Sequence, residues 1–551
     1  MAQDESATSE GSAILGDAAH RHSPLKEEPY LGDVRRFMGG PLGRFARAGT
    51  QTFWTPLIVV LSVASTFLAL GFLSKANCLG GNMNGGVATI DWSGYKQYTS
   101  ACYNDIVPLY RGRGLDNPGD PFAFSWDEDG LTRYNEYPVL AVLFMWIMSR
   151  ITWAITPLVH VSFDQIPEAS VYFILTAIVC AFLWLIVVRW TAQLAGNRPW
   201  DAMLVAASPV VIVHAFTNWD IPAIFLALAA IMALRKGKLG AGGILIGLGT
   251  AFKLWPLYIL GAYLVVAIRE KQLGRWLKTL AGAVIAWLVV NLPVMLRYPE
   301  AWREFSRLNS DRNWDWITIY GTAARQFGWQ GFDNGATPPE TLNRVTFVLF
   351  AVSCVAIAIF GYKVARRPRV AELLMLIVVA FLFFNKVWSP QYSLWLVPLV
   401  ALAIPNWPLV FAWGVSELVL WPILTLTMLG TDNMGLEPGF LDIFVVLRNL
   451  LLLILTWQVI QQMRGRRTDK VYRDNDGQDL LLGDFLDPAP QPEKTQTEKT
   501  QTEPLADDAA NTGKIALVPA VEAETGIADD AADLDTQSGG ASVDVKGRRD
   551  E

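Results

Sequence analysis

The chain has 551 residues, 52% of them hydrophobic, with a mean hydropathy of +0.29 and 22 tryptophans. That composition excludes an ordinary soluble protein and points to many spanning helices with aromatic belts at the two interfaces. The net charge of −6 hides two opposite regions: Thr468–Glu551 carries 20 acidic and 8 basic residues, a net of −12, which leaves +6 on the rest. A basic body is what cytoplasmic loops rich in Lys and Arg produce. Nothing suggests a nucleic-acid partner; the partner expected first is the lipid bilayer.

Residues 1–52 read as a polar cytoplasmic segment, because Arg35, Arg36, Arg44 and Arg47 lie just before the first apolar run. That run starts near Trp54 and is too long for a signal-peptide core. Apolar runs then fall at Trp54–Leu73, Tyr137–Pro157, Val171–Val188, Ala202–Phe216, Ile221–Leu234 and Gly242–Ile268. They continue at Thr279–Leu296, Val345–Tyr362, Leu373–Phe384, Tyr392–Ile404, Leu409–Leu429 and Phe440–Ile460. The expectation is an all-α polytopic membrane helix bundle of about 12 transmembrane helices over residues 53–462. Residues 463–551 read as a disordered acidic cytoplasmic tail with a tandem EKTQT repeat.

Basic clusters at Arg269–Lys278, Lys363–Arg369 and Arg464–Lys470 alternate with base-poor outer segments, which puts both termini in the cytoplasm. Five runs between the first loop and Arg269 satisfy the parity but strand Arg235, Lys236 and Lys238 on the outside. Either the charge rule fails locally or one run there is split or re-entrant. The segment Gly240–Gly249 is apolar and glycine-rich, which favours close helix packing over a phosphate loop.

Two long loops, 74–136 and 297–343, interrupt the apolar pattern and come out extracytoplasmic. Loops this long in a compact membrane fold carry function. The first contains Asp91 and Asp105 within DWSGYKQYTSACYNDIVPLYRGRGL, with Tyr110 nearby, and leads through Glu136 and Tyr137 into an apolar run. One positioned carboxylate suffices to deprotonate an acceptor hydroxyl when the leaving group is a phosphate; an interfacial amphipathic helix is the plainer account of the string. Cys78 and Cys102 share this loop and could form a disulfide if it is extracytoplasmic. The acidic string Trp126–Asp129 could take a divalent cation, with solvated acids the plainer account; no Cys/His spacing resembles a zinc site.

The second loop contains Arg307, Arg312, Trp314 and Trp316. Two guanidiniums can fork a phosphate, and indoles can stack on a sugar or a prenyl chain; snorkelling arginines on an interfacial helix are the alternative. Ionisable groups inside apolar runs are costly, so Asp220 (with Asn218 in NWD) and Lys253 in KLWP are candidates, or a structural pair. Lys386, Gln391 and Tyr392 sit at the turn NKVWSPQYSLWL. Glu417 and Arg448 read as a structural intramembrane pair, and His214 as a packed polar residue.

In this order, the carboxylate loop, EYPVL, NWD, KLWP, the Arg/Trp loop and SPQYSLWL resemble glycosyltransferase family 87 of the GT-C superfamily, over roughly Trp54 to Ile460. EYPVL departs from the family's double proline, since Val139 stands at the second position. The family comprises actinobacterial membrane transferases that take sugars from polyprenyl-phosphate donors to build mannosylated or arabinosylated glycolipids. The resemblance implies an inverting transfer at the outer face of the cell membrane, mannose preferred and arabinofuranose the alternative, onto a glycolipid or glycan acceptor. It implies Asp105 as base with Asp91 in reserve, and Arg312 as phosphate ligand with Lys386 and Lys253 behind it. A lipid-linked sugar flippase is the competing function; no inverted repeat is visible to support it.

Overall fold

The computed structural model describes residues 55–486. The expectations for residues 1–52 and for the tail from 487 onward lie outside the described residues.

The chain is a helical bundle with two small hairpins, β1–β2 (Gly81–Asn84 and Val87–Ile90) and β3–β4 (Trp126–Glu128 and Leu131–Arg133). Helix α1 (Pro56–Leu73) starts where the Thr55 hydroxyl accepts from the Ile58 N–H, with Pro56 in the first turn. The short α2 is Ile106–Gly112, α3 is Val139–His160 and α4 is Glu168–Leu194. A broken helical run over Pro199–His214 follows, then α5 (Ile221–Leu234), α6 (Leu239–Phe252), α7 (Tyr258–Arg269) and α8 (Leu273–Arg297). The second loop contributes α9 (Pro299–Asp311) and α10 (Ile319–Phe327). The last five helices are α11 (Glu340–Lys363), α12 (Val370–Phe384), α13 (Ser393–Ala403), α14 (Trp407–Leu429) and α15 (Pro438–Met463).

Among the described residues seven helices are long and apolar enough to cross a membrane, and six shorter apolar helical segments accompany them. One of the seven, α3, does not cross. Its Arg150 guanidinium donates to the Leu115 and Asn117 carbonyls at 2.7 and 2.6 Å, and its Trp146 indole to Gly119 at 3.0 Å, all in the first loop. The next helix, α4, begins beside the end of α1, with the Ser170 hydroxyl donating to the Leu79 carbonyl at 2.8 Å. The chain therefore travels from α1 to α4 on one side, and α3 lies along the first loop. Leu158, Val161 and Phe163 at its far end are 74, 83 and 62% exposed, an apolar edge of the kind carried by helices that lie on a lipid surface. The first loop thus runs to about residue 167, and Tyr137–Pro157 is corrected from a span to part of that loop.

A second correction offsets the first. The run Gly242–Ile268 is two crossings: α6 stops at Phe252, Lys253 turns to extended backbone, and Trp255–Arg269 returns. Twelve crossings remain, and the stranded charges find their place. Arg235 donates to Gln193 at the end of α4, Asp484 N–H donates to Arg235, and Arg269 donates to Val364. Arg235, Lys236 and Lys238 thus share one end of the bundle with the other basic clusters. The four basic clusters therefore gather at one end of the bundle; reading an in-plane helix as a span had disguised this.

The close packing expected of the glycine-rich segment is present. A Cβ on Gly243 would fall 2.1 Å from the Thr279 carbonyl oxygen, and one on Gly247 2.2 Å from that of Ala283. Helices α6 and α8 meet through bare backbone.

Residues 464–486 are not a disordered tail; they pack on the basic end. Asp469 pairs with Arg369 at 2.8 Å, Asp474 with Arg198 at 2.5 Å, and the Asp479 carboxylate caps the Val370 N–H at 2.7 Å. Leu481, Leu482 and Phe485 are buried. An acid every five residues made this stretch look solvated; each of these three acids instead answers a buried donor of the bundle.

The candidate active site

Helix length decides where the bundle is hollow. Helices α5, α6, α7, α12 and α13 have only 14, 14, 12, 15 and 11 residues. At 1.5 Å per residue they run about 16–23 Å, short of the ~30 Å of hydrocarbon that the flanking helices span. Their turns at the end opposite the basic clusters therefore sit sunken, and those turns carry polar residues: Asn218 and Asp220, Lys253, and Asn385 to Gln391. Above them lies a cavity of about 490 Å³, roofed by the two long loops.

Asp105 enters from the first loop. Its backbone N–H donates to the Thr217 carbonyl at 2.8 Å, which ties the loop to the sunken turn. Its carboxylate accepts from the Tyr103 hydroxyl at 2.9 Å and from the Asn218 amide at 2.6 Å. Burial raises its proton affinity above the ordinary carboxylate range, and these two donors pull it back. The Asp105 charge and burial in turn keep the Tyr103 phenol protonated. The disulfide Cys78–Cys102 anchors the strand just before Tyr103. Lys75 is fully buried behind it, donating to the Tyr103 carbonyl at 3.0 Å over the Trp421 ring; burial depresses its pKa to about 7.

Arg312 enters from the second loop, just past α9, and lines the same cavity. Its one side-chain partner is Asp315 at 3.2 Å. Arg113 also lines the cavity but is held bidentately by Glu136 at 2.6 and 2.8 Å. Lys253 lies 3.5 Å from Asp220 and over the Tyr137 and Tyr392 rings at 5.4 and 5.7 Å. Among the cavity's charges, Asp105 has neutral donors only and Arg312 has a single long contact. A carboxylate and a guanidinium, neither locked in a short ion pair, thus face one hollow.

Of the residues singled out in sequence, Asp105, Glu136, Tyr137, Asn218, Lys253, Arg312, Trp316, Gln391 and Tyr392 line this cavity. The others do not. Asp91 lies in the first loop paired with Lys96, and that pairing holds its pKa well below the usual range. Arg307 pairs with Glu304 at 2.6 Å and donates to the Thr132 carbonyl, so the two-arginine fork is not assembled. Lys386 donates to the Ser310 and Arg312 carbonyls; burial and the Arg312 charge depress its pKa to about 8. It holds the arginine's backbone in place. Tyr110 packs on Tyr172 with ring centroids 4.7 Å apart. Asp220 is buried beneath the floor, accepting from the Trp395 indole at 2.8 Å. Trp314 lies in an adjoining hollow. Glu417 and Arg448 are not directly paired: Glu417 accepts from Ser393, and Arg448 donates to Ile317 and stacks 3.6 Å over Trp388. His214 packs edge-on against Trp421.

Sequence reading missed Arg113, Asp315, Trp388 and Trp421, all of which line the cavity, and the hydrogen bond by which Tyr103 holds Asp105. Tyr103 was legible, two residues from the candidate base; the two tryptophans looked like ordinary apolar-segment residues. Among the described residues no group of three His, Cys, Asp or Glu side chains is placed to hold a metal ion; Asp127 and Glu128 lie in β3 and Asp129 in the turn that follows it.

No curated protein sequence matches the chain. The crystal structure of ArnT from Cupriavidus metallidurans bound to undecaprenyl phosphate is similar to it over 75% of this chain and 78% of that chain, at 13% identity and a TM-score of 0.36. The sequence model of glycosyltransferase family 87 matches residues 135–390, which run from the end of the first loop, through the sunken turns and the second loop, to the cavity wall at Pro390. Over that span the chain is similar to glycosyltransferase family 87.

Proposed function

We propose that this membrane protein transfers a sugar, mannose before arabinofuranose, from a polyprenyl-phosphate donor to a glycolipid or glycan acceptor, with inversion, on the extracytoplasmic face. The observation that carries the reading is the placement of Asp105 and Arg312, more than 200 residues apart in sequence, on the walls of one cavity. The basic clusters at the opposite end support an outward-facing cavity.

In this reading the donor phosphate meets Arg312, whose guanidinium offers N–H groups to the oxygens that gain charge as the sugar leaves. Asp105 takes the proton of the acceptor hydroxyl while its oxygen attacks the anomeric carbon from the face opposite the phosphate. The C–O bond to phosphate breaks as the new glycosidic bond forms. Tyr103 and Asn218 hold the carboxylate in one rotamer, and its raised proton affinity makes it a better base than a solvated aspartate. Donor and acceptor are both membrane-bound, so no soluble nucleotide-binding domain is needed. The prenyl chain leaves through an apolar hollow that shares Tyr137, Pro138, Leu254 and Phe305 with the cavity and is walled by Trp287 and Trp302.

The test is a transfer assay in membranes containing the protein, with radiolabelled polyprenyl-phosphate mannose and, separately, polyprenyl-phosphate arabinofuranose. Label appearing in a glycolipid, and lost with Asp105→Asn at unchanged protein level, supports the reading. Movement of the donor across the bilayer with no transfer makes the protein a flippase instead.

A further inference from the structure

Next to the cavity lies a second hollow of about 490 Å³, lined by Asn313, Trp314, Trp316, Arg325, Trp329 and Gln330 among others. Trp316 lines both, so the two adjoin. Trp314 stacks on Trp329, ring centroids 5.4 Å apart and planes 22° apart, and Trp329 meets Phe332 edge-on at 4.9 Å. Gly331 has φ +84°, and a Cβ there would fall 2.3 Å from the Trp314 ring. The chain passes this close to the indole only as glycine.

The groove's charge is already committed. Arg325 is held by Asp442 through Nε at 3.1 Å and Nη2 at 2.5 Å, and donates to the Trp316 carbonyl at 2.6 Å. It braces the wall. What remains for a ligand is indole surface, with the Asn313 and Gln330 amides beside it. A phosphate or carboxylate finds no uncommitted cation there. A prenyl chain has the more apolar hollow on the other side of the cavity. A neutral ring with a C–H face and a hydroxyl edge matches both halves of the lining, stacking on indole and hydrogen-bonding to amide.

We propose that this groove binds a sugar ring of the acceptor glycan, beyond the ring that accepts. The proposal rests on the transfer reading for the word acceptor, but its binding test does not depend on transfer. Full-length protein in lipid nanodiscs is titrated with mannotriose and with arabinotriose and followed by saturation-transfer difference NMR. One of the two trisaccharides binds, and Trp329→Ala weakens it about five- to tenfold, as expected for losing one stacking face. Gln330→Ala, at an exposed position with little risk to folding, weakens it about threefold. Binding of neither trisaccharide, or binding unchanged in both variants, overturns the proposal. If the wild type transfers no sugar while trisaccharide binding is lost in Trp329→Ala, the transfer reading fails and the groove stands. If transfer continues with an unchanged acceptor KM in both variants, the groove fails and the transfer reading stands.

Discussion

The two ends of the bundle bury the same kinds of residue and treat them differently. At the basic end Arg369 makes four hydrogen bonds, two to Asp469 and one each to the Leu402 and Ala403 carbonyls. Arg198 is likewise enclosed by Asp201 and Asp474. At the cavity end Arg312 has one long contact and remains 40% exposed. Asp105 has no cation bonded to it. A guanidinium saturated by partners is structural glue; one left with donors aimed into a hollow is available to a substrate. Charge in a membrane protein therefore has to be judged by what it is bonded to, not by its depth.

Substitutions at the two ends should separate activity from stability. The largest effect expected is that of Asp105→Asn, which keeps the shape and removes the base; transfer should fall by about 10²–10⁴-fold with an unchanged melting temperature. Arg312→Ala should lower kcat/KM by about 10²-fold, seen more in donor than in acceptor dependence. Equal loss for both substrates would remove its phosphate role. At the other end, Arg369→Ala leaves Asp469 with only its longer Arg366 contact at 3.2 Å and strips the Leu402 and Ala403 carbonyls of their donor, and should cost about 2–4 kcal/mol of stability. A thermal-unfolding scan should show that loss while the remaining folded protein keeps its turnover; loss of turnover in folded protein would break the comparison.

The pH profile tests the finer point. Asp105 must be deprotonated to act, so activity falls as pH drops through its pKa. Because burial raises that pKa, the fall should begin above the ordinary carboxylate range. Tyr103→Phe removes a donor that stabilises the carboxylate, so the acid limb should move to still higher pH, with more activity lost at pH 6 than at pH 8. A limb that stays fixed would mean that the hydrogen bond is not kept in solution. The smallest effects are expected from Asp91→Asn and Arg307→Ala, both outside the cavity; transfer within about twofold of wild type is the outcome anticipated.

Much of this was legible in the chain itself. The apolar runs pointed to the membrane class, and the ordered strings pointed to the family resemblance and to two of the cavity-lining charges, Asp105 and Arg312. The number of crossings came out right through two opposite errors. Helix α3 has the length and hydropathy of a span, and composition cannot distinguish a helix lying along a loop from one standing in the bilayer. The Gly242–Ile268 run hides its turn at a single lysine, because the residues on both sides remain apolar. The misplaced Arg235–Lys238 cluster was the sign of both errors, since basic residues follow the cytoplasmic side.

By itself, the order of residue types determined a many-helix membrane protein, the gathering of its basic clusters, and a short set of groups with the chemistry to meet a phosphate and a proton. These follow from local physics: apolar length sets spans, and Lys and Arg counts set sides. Only the tertiary structure decided that Asp91, Arg307 and Lys386 stand apart from the cavity while Tyr103 and Arg113 line it. It also decided that the first stretch after the last span docks on the bundle. Those outcomes depend on which distant partner each charge meets, and that is fixed by how short and long helices pack, not by any neighbour in sequence.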